Sequence, residues 1–131
     1  MNIAILEDNP TIIEYLTLVL EMAGHQVTVY TQGTALLEAL FTERGVCTPL
    51  PYDLITVDLL LPGDLSGIEV IARIRETIGP RQLPIIVISA ASQLVLEEVK
   101  KTFPDVALLE KPFQMQMLFQ LLETLKLSQD K

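Results

Sequence analysis

Five short apolar runs, each followed by a longer stretch with helical spacing, constrain this chain more than any other feature. The runs are Ile3–Leu6, Val27–Tyr30, Leu54–Asp58, Ile85–Ile88 and Val106–Leu109. Four or five residues suit a strand, and nearly continuous apolar character means burial on both faces. The stretches between them carry helix punctuation. Asn9 offers a cap before Pro10, and Gly24 supplies a stop. Ser66 and Glu69 have capping-box spacing, Gly79-Pro80 ends that segment, and Ser92 caps the next. Helices are predicted from Pro10 to Gly24, Thr34 to about Arg44, Ser66 to about Ile78, Ser92 to about Thr102, and Phe113 to about Leu127. Gly45–Pro51, with two prolines, reads as a loop. Strands alternating with helices imply a parallel sheet covered on both sides, and right-handed crossovers leave few topologies. The expectation is one domain over residues 1–131, α/β, with a doubly wound five-stranded parallel sheet of order 2-1-3-4-5.

Composition removes several alternatives. Half of the 131 residues are apolar, enough for a core. Cys47 is the single cysteine, so no disulfide forms within the chain, which fits a reducing cytoplasm. No apolar run approaches a membrane span, and the first residues lack the basic region of a signal peptide. A cytoplasmic chain without membrane insertion is expected. The net charge of −8 argues against direct nucleic-acid binding, which needs Lys and Arg to displace counterions. Acidity suits a metal cation or a basic partner surface, and over most of the surface it serves solubility.

Asp58 stands in the middle of Leu54–Leu61, an otherwise apolar segment apart from Thr56. Burying a carboxylate alone costs too much, so Asp58 must be paired, metal-bound or at the mouth of a pocket. In doubly wound sheets, ligands bind at the carboxyl ends of strands, at the switch point between strands 1 and 3. Strand 1 ends in Glu7-Asp8, strand 3 in Asp58, strand 4 in Ser89-Ala90, and strand 5 in Glu110-Lys111-Pro112. Three carboxylates at one switch point repel each other, and a divalent cation such as Mg²⁺ resolves the conflict. Lys111 adds a compact positive charge and Ser89 a hydroxyl. Carboxylate nucleophile, metal, cation and hydroxyl together are the parts of phosphoryl transfer.

At these positions the sequence resembles the receiver domain of two-component response regulators, over essentially the whole chain. The matching pieces are Glu7-Asp8, Asp58 with Pro62 four residues on, Ser89-Ala90, and Lys111-Pro112-Phe113. The resemblance implies a flavodoxin-like (βα)5 fold. It implies that Asp58 is the phosphorylation site, accepting a phosphoryl group from a partner histidine kinase or phosphotransfer protein. Mg²⁺ would be held by Asp8 and Asp58 with help from Glu7, while Ser89 and Lys111 contact the phosphoryl oxygens. The Lys111-Pro112 bond is often cis in the family. Such a chain has no separate substrate; it switches the binding of a downstream protein partner. Three positions depart from the family pattern. Glu7 stands where Asp is commoner, and the loop from Pro62 to Gly67 is one residue longer. Leu108 stands where Tyr or Phe is usual.

Two alternatives follow. Glu7 and Leu108 favour a phosphorylation-independent interaction module that kept the fold. A Mg²⁺-dependent phosphatase-like enzyme would need a second acid, but position 60 is Leu. His25 reads as turn structure, Cys47 as an inert thiol, and Asp53 and Asp64 as loop carboxylates without partners. Ile12, Ile13, Leu16, Val19, Leu20 and Ala23 share one face of the first helix, with Tyr15, Leu18 and Met22 at its rim. In the last helix, Met115 and Phe119 extend a stripe of Phe113, Met117, Leu118, Leu121 and Leu125. Wide core faces explain any one of these rim residues. As interfaces, the first rim would dock the kinase and the second a partner or a second copy, giving a homodimer.

Overall fold

The computed structural model describes residues 1–63 and 65–129. Twelve elements follow along the described chain: β1 (Asn2–Leu6), α1 (Pro10–Met22), β2 (Gln26–Tyr30), α2 (Gly33–Leu40), β3 (Phe41–Thr42), β4 (Gly45–Val46), β5 (Leu54–Val57), α3 (Gly67–Arg75), β6 (Ile85–Ser89), α4 (Gln93–Thr102), β7 (Ala107–Glu110) and α5 (Met115–Gln129). The main sheet has the order β2-β1-β5-β6-β7, all parallel. This is the expected 2-1-3-4-5 arrangement with a two-residue pair inserted between the second and third main strands.

The continuous apolar runs are explained by the two cores. Ala4, Leu6, Ile55, Val57, Ile85 and Val87 point to one face, packed by Leu36 and Leu40 of α2, Ile71 and Ile74 of α3, and Leu96 and Val99 of α4. Ile3, Ile5, Leu54, Ile86 and Ile88 point to the other, packed by Leu16 and Leu20 of α1 and Leu118 and Leu122 of α5. Side chains alternate across a strand, so both faces must be apolar when both are covered. Each buried Val, Leu or Ile side chain contributes about 1.5–3 kcal/mol.

The helix starts agree with their caps. Asn9 accepts from the N–H groups of Thr11 and Ile12, and Ser66 and Glu69 close a reciprocal capping box. The second helix stops four residues short of the expected Arg44. Thr42 Oγ1 accepts the Arg44 N–H at 3.2 Å, and Gly45 takes φ +115°. These local bonds and the left-handed glycine turn the chain into an antiparallel pair instead of another helical turn. Cys47 N–H then closes the base on the Leu40 carbonyl at 2.8 Å. α3 ends at Arg75 rather than Ile78, and α5 begins at Met115 rather than Phe113.

Two face assignments need correction. Ala23 is the exposed C-cap of α1, not part of its buried face. In α5, Met117 is 50% exposed, whereas Phe119 packs against the core beside Leu122. The reason is rotation: α5 is seated on Leu118 and Leu122, which turns position 119 inward and 117 outward. Among the described residues, no helix is long and apolar enough to cross a membrane.

Candidate functional site

A row in register crosses the sheet at Tyr30, Leu6, Val57, Val87 and Leu108. One residue beyond it on the two central strands stand Glu7 and Asp58. Backbone bonds carry the sheet past its last paired residues. Glu7 N–H donates to the Tyr30 carbonyl at 3.0 Å, and Asp58 N–H donates to the Leu6 carbonyl at 3.1 Å. Both side chains are therefore placed by the rigid edge of the sheet. They are also buried, with 2% exposure for Glu7 and 5% for Asp58.

Each buried carboxylate is satisfied by specific donors. Glu7 Oε2 accepts the N–H groups of Asp8 at 3.0 Å and Asn9 at 3.2 Å. Its Oε1 accepts from Lys111 Nζ at 2.5 Å. Asp58 Oδ1 accepts the Leu60 N–H at 3.1 Å, and Oδ2 accepts from Lys111 Nζ at 3.2 Å. One ammonium thus bridges two carboxylates. Glu7 bonds Lys111 and also belongs to the acidic cluster at this corner.

Carboxylate oxygens of Glu7, Asp8 and Asp58 lie within 4.8 Å of one another, with Asp8 the most exposed. Burial pushes the Glu7 carboxyl above its usual range; Lys111 pulls it down, and the neighbouring Asp58 pushes it further up. For Lys111, burial works against the charged form. The bond to Glu7 and the charges of Asp58 and Glu7 outweigh it and hold the ammonium above its usual range. Three hard oxygen donors in close reach fit Mg²⁺, which takes few carboxylates and keeps open positions.

Ser89 ends β6, beside β5, and is fully buried. Its Oγ accepts the Ala91 N–H at 3.2 Å, and its carbonyl accepts the Lys111 N–H at 3.0 Å. The Ser89 and Lys111 loops are thereby tied together. The Lys111-Pro112 bond is cis, as expected. Leu108 is half-buried in β7. It lines a groove of about 450 Å³ with Leu96, Lys100 and Met117.

The other singled-out residues stand apart from this corner. Tyr15, Leu18, Met22 and Met115 are exposed at 38%, 58%, 77% and 43%, so both proposed rims exist apart from Phe119. Tyr15 also meets the ring of Phe113 edge-on, which ties α1 to the chain entering α5. Asp53, read as partnerless, accepts the Asn2 N–H at 2.7 Å. His25 Nδ1 lies 3.1 Å from the Met1 nitrogen, and Cys47 is half-buried. Asp64 lies outside the described residues. Sequence reasoning missed the Leu60 N–H as a partner of Asp58, because a backbone donor leaves no residue-type signal. It also missed the hydrogen-bonded hydroxyls of Tyr30 and Tyr52, which sit 22 positions apart with no local pattern between them.

A doubly wound parallel sheet, with paired acids, an aspartate and a lysine converging at its switch point, defines the receiver class. Comparison with known proteins agrees. Residues 3–123 match the response regulator receiver domain family, and the chain belongs to that family of two-component systems. It is 39% identical over 93 residues to the uncharacterized transcriptional regulatory protein YkoG of Bacillus subtilis, covering 71% of this chain and 36% of that protein. It is 30% identical to the response regulator ArlR of Staphylococcus haemolyticus, covering 90% and 49%. The chain thus spans half or less of the length of these two relatives. Among solved structures, it is similar to the receiver domain of the sensor histidine kinase PA1611 of Pseudomonas aeruginosa, which has a magnesium ion coordinated in its active-site cleft. That match has a TM-score of 0.76 and 27% identity, covering 94% of each chain. The signal receiver domain of a modulated diguanylate cyclase from Desulfovibrio desulfuricans matches at a TM-score of 0.80 and 25% identity, covering 98% and 95%.

Proposed function

We propose that this receiver domain is a phosphorylation switch. Asp58 accepts a phosphoryl group from a phosphohistidine of a partner histidine kinase or phosphotransfer protein, in a Mg²⁺-dependent reaction, and a downstream protein partner reads the outcome. The observation that carries this reading is the placement of Asp58. It is buried, bonded to Lys111, and within reach of two further carboxylates, yet it sits at the open edge of the sheet.

Each residue then has a task. An Asp58 oxygen attacks phosphorus; the phosphorus–nitrogen bond breaks, and its electron pair leaves with the imidazole nitrogen. The Leu60 N–H and Lys111 orient the Asp58 carboxylate before attack. Lys111 is also the donor for charge that develops on the phosphoryl oxygens, and its bond to Asp58 shifts to them as the group arrives. Ser89 supplies a hydroxyl from the neighbouring strand end. Asp8 and Asp58, with Glu7 beside them, would hold Mg²⁺, which when bound supplies positive charge to the phosphoryl oxygens. The magnesium ion in the cleft of the related kinase receiver domain supports this assignment. Hydrolysis of the acyl phosphate returns the carboxylate, so the chain is its own reactant and has no separate substrate.

Incubation with Mg²⁺ and a small acyl phosphate, followed by intact mass, tests the reading. A single phosphoryl adduct is expected, absent from Asp58→Ala. No adduct on the parent chain would sink the switch in favour of a phosphorylation-independent module.

A further inference from the structure

Gly67 opens α3, and the helix there lies directly on the phosphoacceptor's backbone. A Cβ added at Gly67 would stand 2.3 Å from the Asp58 carbonyl oxygen, 2.8 Å from Leu59 Cα and 2.9 Å from the Asp58 carbonyl carbon. All three atoms are backbone, so no side chain can swing away to make room. Neither partner of this contact is free to yield. Asp58 is held by the sheet bond to Leu6. The first turn of α3 is closed by Ser66 and Glu69, and the helix is pinned from behind by Val70, Ile71 and Ile74, all at 0% exposure. Between the two ends Leu60 is 58% exposed and Gly63 takes φ +111°, while Leu59 and Leu65 are buried.

We propose that Gly67 is the positioning residue of the phosphoacceptor. It seats the first turn of α3 against the Asp58–Leu59 backbone, and this seat, not the length of loop 59–66, sets where the Asp58 carboxylate lies. The extra loop residue is then accommodated at the solvent side of the lip without reaching the reacting carboxylate. This inference rests on the proposed phosphorylation of Asp58 for its functional meaning.

Gly33 provides a matched control. A Cβ there would meet Val70 Cγ2 at 2.4 Å, a side-chain contact between α2 and α3 that does not involve Asp58. Three variants of the whole chain separate the roles: Gly67→Ala, Gly33→Ala, and an extra glycine inserted after Gly63. Thermal midpoint, rate of adduct formation at saturating Mg²⁺ and phosphodonor, and the amide resonance of Leu60 are measured for each. For Gly67→Ala we expect a loss of about 100-fold in adduct rate, the scale of a misplacement of about 1 Å. The Leu60 amide, bonded to Asp58 Oδ1, should shift with it. Gly33→Ala should lower the thermal midpoint but leave the adduct rate and the Leu60 amide near the parent's. The glycine insertion should also leave both near the parent's. Equal adduct rates in Gly67→Ala and Gly33→Ala, with Leu60 unmoved, would overturn the proposal. So would a collapse of the rate on lengthening the loop, an outcome readable even where Gly67→Ala does not fold. A parent chain that takes no phosphoryl group sinks the switch reading; the Leu60 resonance still decides whether Gly67 positions Asp58.

Discussion

Two polar clusters, one half-buried and one at the sheet's carboxyl edge, hold distant parts of this chain together, and they are built on opposite principles. The hydroxyls of Tyr30 and Tyr52 bond each other, with their rings edge-on at 6.0 Å. The pair is neutral and self-satisfied. Burial, then the neighbouring hydroxyl, pushes the Tyr30 phenol up to about 12, so Tyr30 keeps its proton across the ordinary pH range. The Lys111 corner gathers one cation against Glu7, Asp8 and Asp58. It carries surplus negative charge and a carboxyl pushed upward by its surroundings. A neutral pair suits a place where only cohesion is needed. An oversupplied one belongs at an open edge, where a cation or a phosphoryl group can use the imbalance.

The contrast can be broken most forcefully at Lys111. Lys111→Met leaves Glu7 and Asp58 buried without their shared cation and should cost about 3 kcal/mol in urea unfolding. A loss well under 1 kcal/mol would mean that water already screens the corner. Next in size, Asp58→Asn removes one of the crowded charges. It should raise stability at neutral pH, because it removes a like charge from beside Glu7 and Asp8. The same variant should lose most of the rise in melting temperature that Mg²⁺ gives the parent chain by binding the folded state. Equal Mg²⁺ stabilisation of both would place the ion elsewhere.

The tyrosine pair should respond more mildly. Tyr30→Phe should cost about 1 kcal/mol by leaving the Tyr52 hydroxyl without its partner. A phenol raised in the folded state contributes stability that is whole below its usual pKa of 10.0 and is lost as pH rises through about 12. The gap between parent and variant should therefore close in alkaline urea titrations. The smallest effect is expected at Glu7. Its raised carboxyl contributes stability that is whole below 4.5 and is lost as pH rises through the folded-state value. Glu7→Gln removes that dependence, so its stability relative to the parent should climb as pH rises from 4.5 toward neutrality. A parallel pH profile for the two proteins would show that Lys111 fully compensates the Glu7 charge.

Much of this architecture was readable in advance because it rests on local chemistry. Asn9, Ser66 and Ser92 cap helices by bonds that span only two or three residues. The runs Ile3–Leu6 and Ile85–Ile88 report burial on both faces without reference to any partner. Glu7, Asp58, Ser89 and Lys111 were placed at strand ends by counting, and parallel strands gather such ends on one edge. Other features resisted for equally physical reasons. Helical spacing continues through Phe41, and the turn at Thr42–Gly45 depends on weak side-chain bonds that periodicity does not register. Phe119 and Met117 exchanged places because the rotation of α5 is set by how Leu118 and Leu122 fit the sheet. For the same reason Phe119→Glu would unsettle the core, whereas Met117→Glu would probe the surface.

The amino-acid pattern alone determined the alternation of strands and helices, the burial of the strands on both faces, and which groups end each strand; it narrowed the strand order to a few choices, and the structure decided it. Those follow from burial periodicity and chain handedness, which any short segment carries within itself. Only the tertiary structure decided that Lys111 bonds Glu7 as well as Asp58, that the Leu60 N–H holds the other Asp58 oxygen, and that α3 sits on Asp58 through Gly67. These are contacts between side chains tens of residues apart, or contacts made through a backbone atom. Their existence depends on distances of a few tenths of an ångström, which residue identity does not encode.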